Sequence, residues 1–349
     1  MSRIIMVGPE STGKGGISTV IKNFIQYFPE NNNLQIDYLF SWHENYKLRY
    51  ALQSFGQLWH KTHTKKIAIV HFHVSQDASF YRKSVLLKAV KKGTKTIFHM
   101  HAPNFEKFYQ QASVKKKQYI RKILDQIDLI VALSEEWAVY YQSLTKTEVI
   151  VIHNAVYVPQ DNHYQAQSMN ILTFGRICER KGSQDIVTVA SRLEKKIPKL
   201  RFHLFGDTDE TTVNIIEKIK QLDCKNIELH SWTTNQQDLL ADCALHLLPS
   251  YHEGVPMAIL ETMAFGVPNL ATDVGGIKQV LEDKKNGFLV VPGDVDQMEE
   301  DILNFFSNVE KRKDFSVHAK QKIEDHFSIS AYFLIWENVY ESLSETGKE

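Results

Sequence analysis

The chain has 349 residues, 43% of them apolar and 23% charged, which is ordinary for a globular protein and long enough for two domains. It lacks the run of about 20 apolar residues that spans a bilayer, and its opening residues lack the basic-then-apolar pattern of a signal segment. Formal charge sums to zero but divides unevenly: residues 1–160 hold 21 Lys and Arg against 11 Asp and Glu, a balance of +10, and the remainder carries −10. A basic front half of this kind suggests an anionic partner.

The first predicted element is an apolar strand, Arg3–Val7, which runs into VGPESTGKGG at 7–16. Gly8, Gly13 and Lys14 match the register of a P-loop, but Gly15 stands where that loop needs a magnesium-binding hydroxyl. Gly15 and Gly16 instead let backbone come close to a phosphate, because they carry no Cβ. An amphipathic helix over 17–28 follows, then apolar strands at Leu34–Phe40, Ile67–Phe72, Thr96–Met100, Leu129–Leu133 and Glu148–Ile152. The segment 134–144 reads as a helix with Ser134 as its cap and carboxylates in its first turn.

Basic residues concentrate in 82–95 and 115–122, interleaved with Val, Leu, Ile and Tyr at helical spacing. Such helices suit an anionic membrane surface, or else simply present solvated faces. His71 and His73 end one predicted strand, where packing in the core competes with contact to a ligand. His99 and His101 form a second H-x-H pair. We expect His99 and His101 on opposite faces of their strand, and so no zinc pair.

Periodicity lapses over 153–168, a polar, Pro-containing stretch that reads as a linker. Strands resume at 170–174, Arg201–Phe205, Ile227–His230, Ala244–Leu248 and Pro268–Ala271, with helices near 183–196, 209–222, 256–265 and 295–307. Cys178, Cys224 and Cys243 are scattered and odd in number, which suits a reducing cytoplasm and argues against a thiolate metal site. The last segment, 328–343, is aromatic and amphipathic.

Strand–helix alternation on both sides of a linker predicts two doubly wound α/β domains, at 1–160 and 161–327. Ligands of such sheets lie beyond the carboxyl ends of the strands, so the functional residues should follow strands in both halves and meet in a cleft. Those positions hold Gly13–Gly16, His101, Arg176 with Lys181, the stretch from Glu253 to Glu261, and a Gly275–Gly276 turn. Taken alone, Arg176 and Lys181 read as solvent-facing cations at a helix start. Together they suit a diphosphate, one as a fork and the other as a point charge. Pro256 suits a first helical turn, which would put Glu253 before the helix, Glu261 inside it, and the free amides of Val255–Ala258 at its amino end. Trp232 and Thr233, just after a strand, are placed to line a base pocket.

Gly175-Arg176 with Lys181-Gly182, the Glu-x7-Glu of 253–261 and TDVGGIKQVL at 272–281 resemble the retaining nucleotide-sugar glycosyltransferases of family 4, with the GT-B fold. The runs VIHNAV at 151–156 and Gly15-Gly16 are similar too. The resemblance implies an N-terminal acceptor domain, a C-terminal donor domain and a final helix over 328–349 that crosses back to brace the first domain. It implies Arg176 and Lys181 on the donor diphosphate, Gly16 approaching it, Glu261 on ribose hydroxyls, and Glu253 on the sugar with Gly254, Val255, Pro256 and Met257 beside it. His101 would lie near the transferred sugar, with His73, Tyr81 and Arg82 on the acceptor side. No cofactor or essential metal is implied beyond the nucleotide-sugar co-substrate. Gln279 departs from the family pattern, which has an acidic residue there.

The expected function is transfer of a sugar from a nucleotide diphosphate, UDP above all, to a glycan carried on a polyprenyl diphosphate. That would place the protein in the cytoplasm, with any peripheral contact at the inner face of the membrane; nucleic acid is not an expected partner. A GT-B-like epimerase or phosphorylase is the alternative, and the epimerase would form product from donor alone. A P-loop NTPase is a further alternative, weakened by Gly15.

Overall fold

A computed structural model describes residues 2–11, 13, 16–29, 33–41, 47–233 and 235–345. The chain forms two compact units, Met1–Ala155 with Ile329–Glu349 and Val156–Ser328.

Unit 1 begins with β1 (Ser2–Gly8), α1 (Gly16–Tyr27), β2 (Leu34–Phe40), α2 (Lys47–Thr64), β3 (Ile67–Val74) and α3 (Ala78–Leu87). It continues with β4 (Lys95–Met100), α4 (Phe105–Gln110), α5 (Val114–Leu124), β5 (Leu129–Ala132), α6 (Glu135–Gln142) and β6 (Val149–Val151). The six strands are parallel in the order β2-β1-β3-β4-β5-β6, so the winding reverses between β1 and β3. Buried on both faces, β3 and the Ile97–Met100 part of β4 read as continuous apolar runs broken only by their histidines. Ser113 and Ser134 cap α5 and α6, each accepting a hydrogen bond from a first-turn N–H.

Unit 2 contains β7 (Asn170–Phe174), α7 (Ser183–Glu194), β8 (Arg201–Phe205), α8 (Thr212–Gln221), β9 (Ile227–His230), α9 (Gln236–Leu240) and β10 (Leu245–Leu248). Then come α10 (Met257–Ala264), β11 (Asn269–Thr272), α11 (Ile277–Val280), β12 (Gly287–Val290), α12 (Val295–Phe306) and α13 (Val309–His326). Its order, β12-β11-β10-β7-β8-β9, reverses between β7 and β10. The last helix, α14 (Ile329–Glu345), belongs to unit 1. There Trp336 stacks on His71 with centroids 4.5 Å apart, and Phe333 meets Phe24 edge-on at 5.1 Å.

Three features correct the sequence reading. The basic stretch 82–95 is not one helix: α3 stops at Leu87 and Lys83 is fully buried, so the run has no continuous solvated face. The strand β12 escaped notice because it is four residues long and opens on glycine. In α13 the apolar stripe of Phe315, Ala319 and Ile323 is interleaved with buried Arg312, Ser316 and Lys320, which disguise it.

Candidate functional site

In unit 2 the reversal between β7 and β10 brings together the loops that follow those strands. Gly182, with φ +69°, turns the chain into α7 where a Cβ would lie 2.0 Å from the Pro249 carbonyl oxygen; only glycine fits. This close approach sets Lys181 against the Glu253 carboxylate, and the two half-buried side chains form an ion pair. Arg176 is exposed, and its charge is felt at the Asp209 carboxylate. Arg180 donates to the His252 carbonyl at 3.0 Å, and Tyr251 donates to Asp185 at 2.9 Å, further fastening the two loops. From the other side, a Cβ on Gly275 would lie 2.1 Å from the Glu253 carbonyl, and the Gly276 N–H donates to the Gly254 carbonyl at 3.0 Å. The glycine turn thus props up the glutamate loop.

Pro256 precedes the first turn of α10 instead of lying in it: its ψ of 126° is extended, and the helix starts at Met257. The Ile259 and Leu260 N–H groups donate to the Pro256 carbonyl, which leaves those of Met257 and Ala258 at the amino end of the helix. Glu261 lies one turn in and half-buried, while Ile259 and Leu260 are fully buried. Beneath them His246 meets the Asn269 side chain, which donates to Thr262 at 3.0 Å, tying β10, β11 and α10 together. Burial holds the His246 ring down at about 4, with the nearby Lys181 charge acting in the same direction. Neither His246 nor Asn269 was singled out in the sequence, where both look like ordinary strand residues. Thr233 is half-buried and accepts from the Asn235 N–H at 3.0 Å; among the described residues no hydrogen bond links it to the Lys181–Glu253 pair. Gln279 buries its side-chain oxygen without a partner, close to Gly276.

In unit 1, Gly16 is the first residue of α1, while Lys14 and Gly15 lie outside the described residues. The expectation that His99 and His101 face opposite ways is wrong, because residues two apart on a strand share a face. Their ring centroids are 4.1 Å apart, and with His71 and His73 they form one row across β3 and β4. His73 Nδ1 lies 3.0 Å from His101 Nε2, and His71 Nδ1 lies 2.7 Å from the Tyr340 hydroxyl of α14. His101 is the most exposed of the four at 8%. Burial pushes its ring down to about 3, so it is neutral at physiological pH, and the other three rings are lowered by the same cause. His73, 1% exposed, lies behind His101 and is not placed to touch an acceptor.

Tyr81 also departs from the acceptor assignment: its ring packs on the core beside Tyr119, and its hydroxyl is buried. Arg82 is half-buried on the same helix. Lys83 was missed altogether. Its ammonium donates to Ser41, just past β2, and no described carboxylate forms an ion pair with it.

Two family models match the chain: Glycosyltransferase Family 4 over residues 26–158, and Glycosyl transferases group 1 over residues 160–322. The chain belongs to glycosyltransferase family 4. A 41.2 kDa protein of the cps region in Klebsiella pneumoniae is 25% identical over 94% of this chain and 98% of its own length. The poly(ribitol-phosphate) alpha-N-acetylglucosaminyltransferase of Staphylococcus aureus is 25% identical over 70% of this chain, which spans only half of that protein. Among solved structures, Anabaena HepE in complex with UDP and glucose superposes with a TM-score of 0.75 at 13% identity, covering 98% of this chain and all of that one. Two parallel six-stranded sheets with these neighbours are the GT-B fold. As a family 4 glycosyltransferase, the chain keeps its motif residues where two strand ends of unit 2 converge: Lys181 and Glu253 in contact, Gly275–Gly276 beneath them, and Glu261 a turn inside α10.

Proposed function

We propose that the protein transfers a sugar, with retention of anomeric configuration, from a UDP-sugar to a glycan acceptor in cell-surface polysaccharide synthesis. The Lys181–Glu253 pair at the strand reversal of unit 2 carries this reading, because it sets a cation and a carboxylate side by side at an open helix end. Membership of family 4 supports it, as do the cps-region relative and the UDP held by the Anabaena neighbour. Breaking a glycosyl–phosphate bond places negative charge on the diphosphate and positive character on the anomeric carbon. Arg176, Lys181 and the amides at the start of α10 stabilise the first. Glu253 orients the sugar and tempers the second, and Glu261 takes the ribose hydroxyls. Positive charge at the phosphate thus comes from side chains, and the reaction calls for no resident metal.

Unit 1 receives the acceptor in this scheme. His101, held neutral, acts through hydrogen bonds and not as an acid. Exposed Lys88, Lys91, Lys92, Lys115 and Lys116, with exposed Val85 and Val114, give unit 1 a basic and partly apolar surface. That surface favours an acceptor on a lipid diphosphate at an anionic membrane. Among the described residues no helix is long and apolar enough to cross one.

The test is incubation with UDP-sugars and a short-chain prenyl-diphosphate-linked glycan, with the anomeric proton of the product read by NMR. Acceptor-dependent product of retained configuration is expected, together with loss of UDP binding in the Arg176→Ala/Lys181→Ala double variant. A new sugar formed from donor alone would replace transfer with epimerisation.

A further inference from the structure

We propose that unit 2 also holds a site for a divalent d-block cation of the zinc type, formed by His203, Glu228 and His230 on one face of β8 and β9. The strand register pairs His203 with Glu228 and Phe205 with His230, so all three side chains leave the sheet on the same side. His203 Nδ1 lies 3.1 Å from His230 Nε2, and Glu228 Oε2 lies 3.7 Å from the first nitrogen and 3.6 Å from the second. A proton shared between the rings accounts for the short edge of this triangle alone, since the two longer edges exceed hydrogen-bond length. One cation accounts for all three edges. A triangle with sides of 3.1, 3.6 and 3.7 Å has its centre about 2.0 Å from every corner, which is the length of a zinc bond to imidazole or carboxylate.

Set slightly off that plane, the cation would keep a fourth position for water and approach tetrahedral geometry. Two imidazoles and one carboxylate suit Zn2+, Co2+ or Ni2+ better than Mg2+ or Ca2+, which favour sets made of oxygen. The rings are 20% and 33% exposed and the carboxylate 59%, so an ion can enter from solvent without unfolding. Phe205 stacks on His230 at 4.4 Å and holds the ring in its orientation.

The buried row in unit 1 offers a contrast. His71, His73 and His99 also bring ring nitrogens within 4.8 Å of one another. There, however, His71 and His73 stack face to face at 4.6 Å and 18°, so their in-plane lone pairs run parallel instead of converging.

None of the three ligands belongs to the residues given to the donor, so the cation would hold structure and not take part in the reaction. His230 lies two residues before Trp232, and a cation there would fasten the carboxyl end of β9 to β8 at the entry to the Trp232–Thr233 segment.

The experiment is zinc titration of the chelator-stripped full chain by calorimetry, with cobalt(II) absorbance as a second probe. Binding of one cation is expected, with tetrahedral cobalt bands. The His203→Gln/His230→Gln double variant should weaken zinc by at least about tenfold, erase those bands and lose the zinc-induced rise in Tm. The three side chains are partly exposed, so circular dichroism of the metal-free variant should match the parent. The proposal is overturned if the parent chain fails to bind zinc, if the double variant keeps the parent's affinity, or if binding is lost in His71→Gln/His99→Gln instead.

Discussion

Lys181 and Glu253 neutralise one another in the free protein, and an incoming diphosphate must draw the lysine away from its carboxylate. In the proposed donor site, the same glutamate that would serve the sugar therefore works against the phosphate. A charge-assisted hydrogen bond contributes about 1.5–3 kcal/mol, so Lys181→Ala should weaken UDP about 10- to 150-fold. Glu253→Gln should do the reverse for UDP, tightening it several-fold by freeing the lysine, while the rate of sugar transfer falls by at least about tenfold. Calorimetry with UDP and initial rates with the UDP-sugar read the two effects separately. If Glu253→Gln bound UDP no more tightly than the parent, competition between carboxylate and phosphate for Lys181 would be refuted. The reversed sign for one ligand is the informative part, since general loss of structure would weaken both measurements.

At the scale of elements, α14 closes unit 1 by laying Trp336 and Tyr340 over the histidine row of β3 and β4. The row is also faced by buried Lys83 from α3 and Phe24 from α1, and among the described residues no carboxylate acts on it. With no anion to stabilise imidazolium, the folded chain keeps all four rings neutral, whereas the unfolded chain protonates them near the ordinary value of about 6.5. Below that pH the unfolded state binds more protons. Stability is therefore full above about pH 6.5 and is lost as pH falls, with each histidine adding up to about 1.4 kcal/mol per pH unit. Urea unfolding followed by tryptophan fluorescence should show the midpoint dropping steeply between pH 7 and pH 5. Trp336→Ala should cost about 3–5 kcal/mol at neutral pH and flatten that drop, because water then reaches His71. A midpoint that held steady down to pH 5 would mean that the rings find a counter-charge on protonation.

For the whole molecule, what the sequence reveals divides along physical lines. Every strand except β12, and the motif loops of unit 2, are legible because parallel strands buried on both faces read as apolar runs, and because the residues proposed to bind phosphate follow those runs directly. Lys83 is not legible: a lysine on an amphipathic helix looks solvated, and only the fold turns it inward beside Ser41. Nor are His246 and Asn269, whose pairing depends on the register between β10 and β11. Charge shows the same contrast between pattern and place. Glu337, Glu341, Glu345 and Glu349 against Lys348 take three charges from the first half's excess, so unit 1 carries +7 and unit 2 carries −7. In the proposed site an anionic nucleotide bound to the acidic unit would be held by a local field from Arg176, Lys181 and the start of α10, not by net charge. Hydrogen exchange tests this placement. With UDP at 100 times its dissociation constant, binding adds about 2.7 kcal/mol to the unit that holds it, so core amides of β7 and β10 should exchange up to about 100-fold more slowly. Amides of β1 and β4 should change less. Protection confined to β1 and β4 would move the nucleotide to the basic unit and overturn the assignment of Arg176 and Lys181.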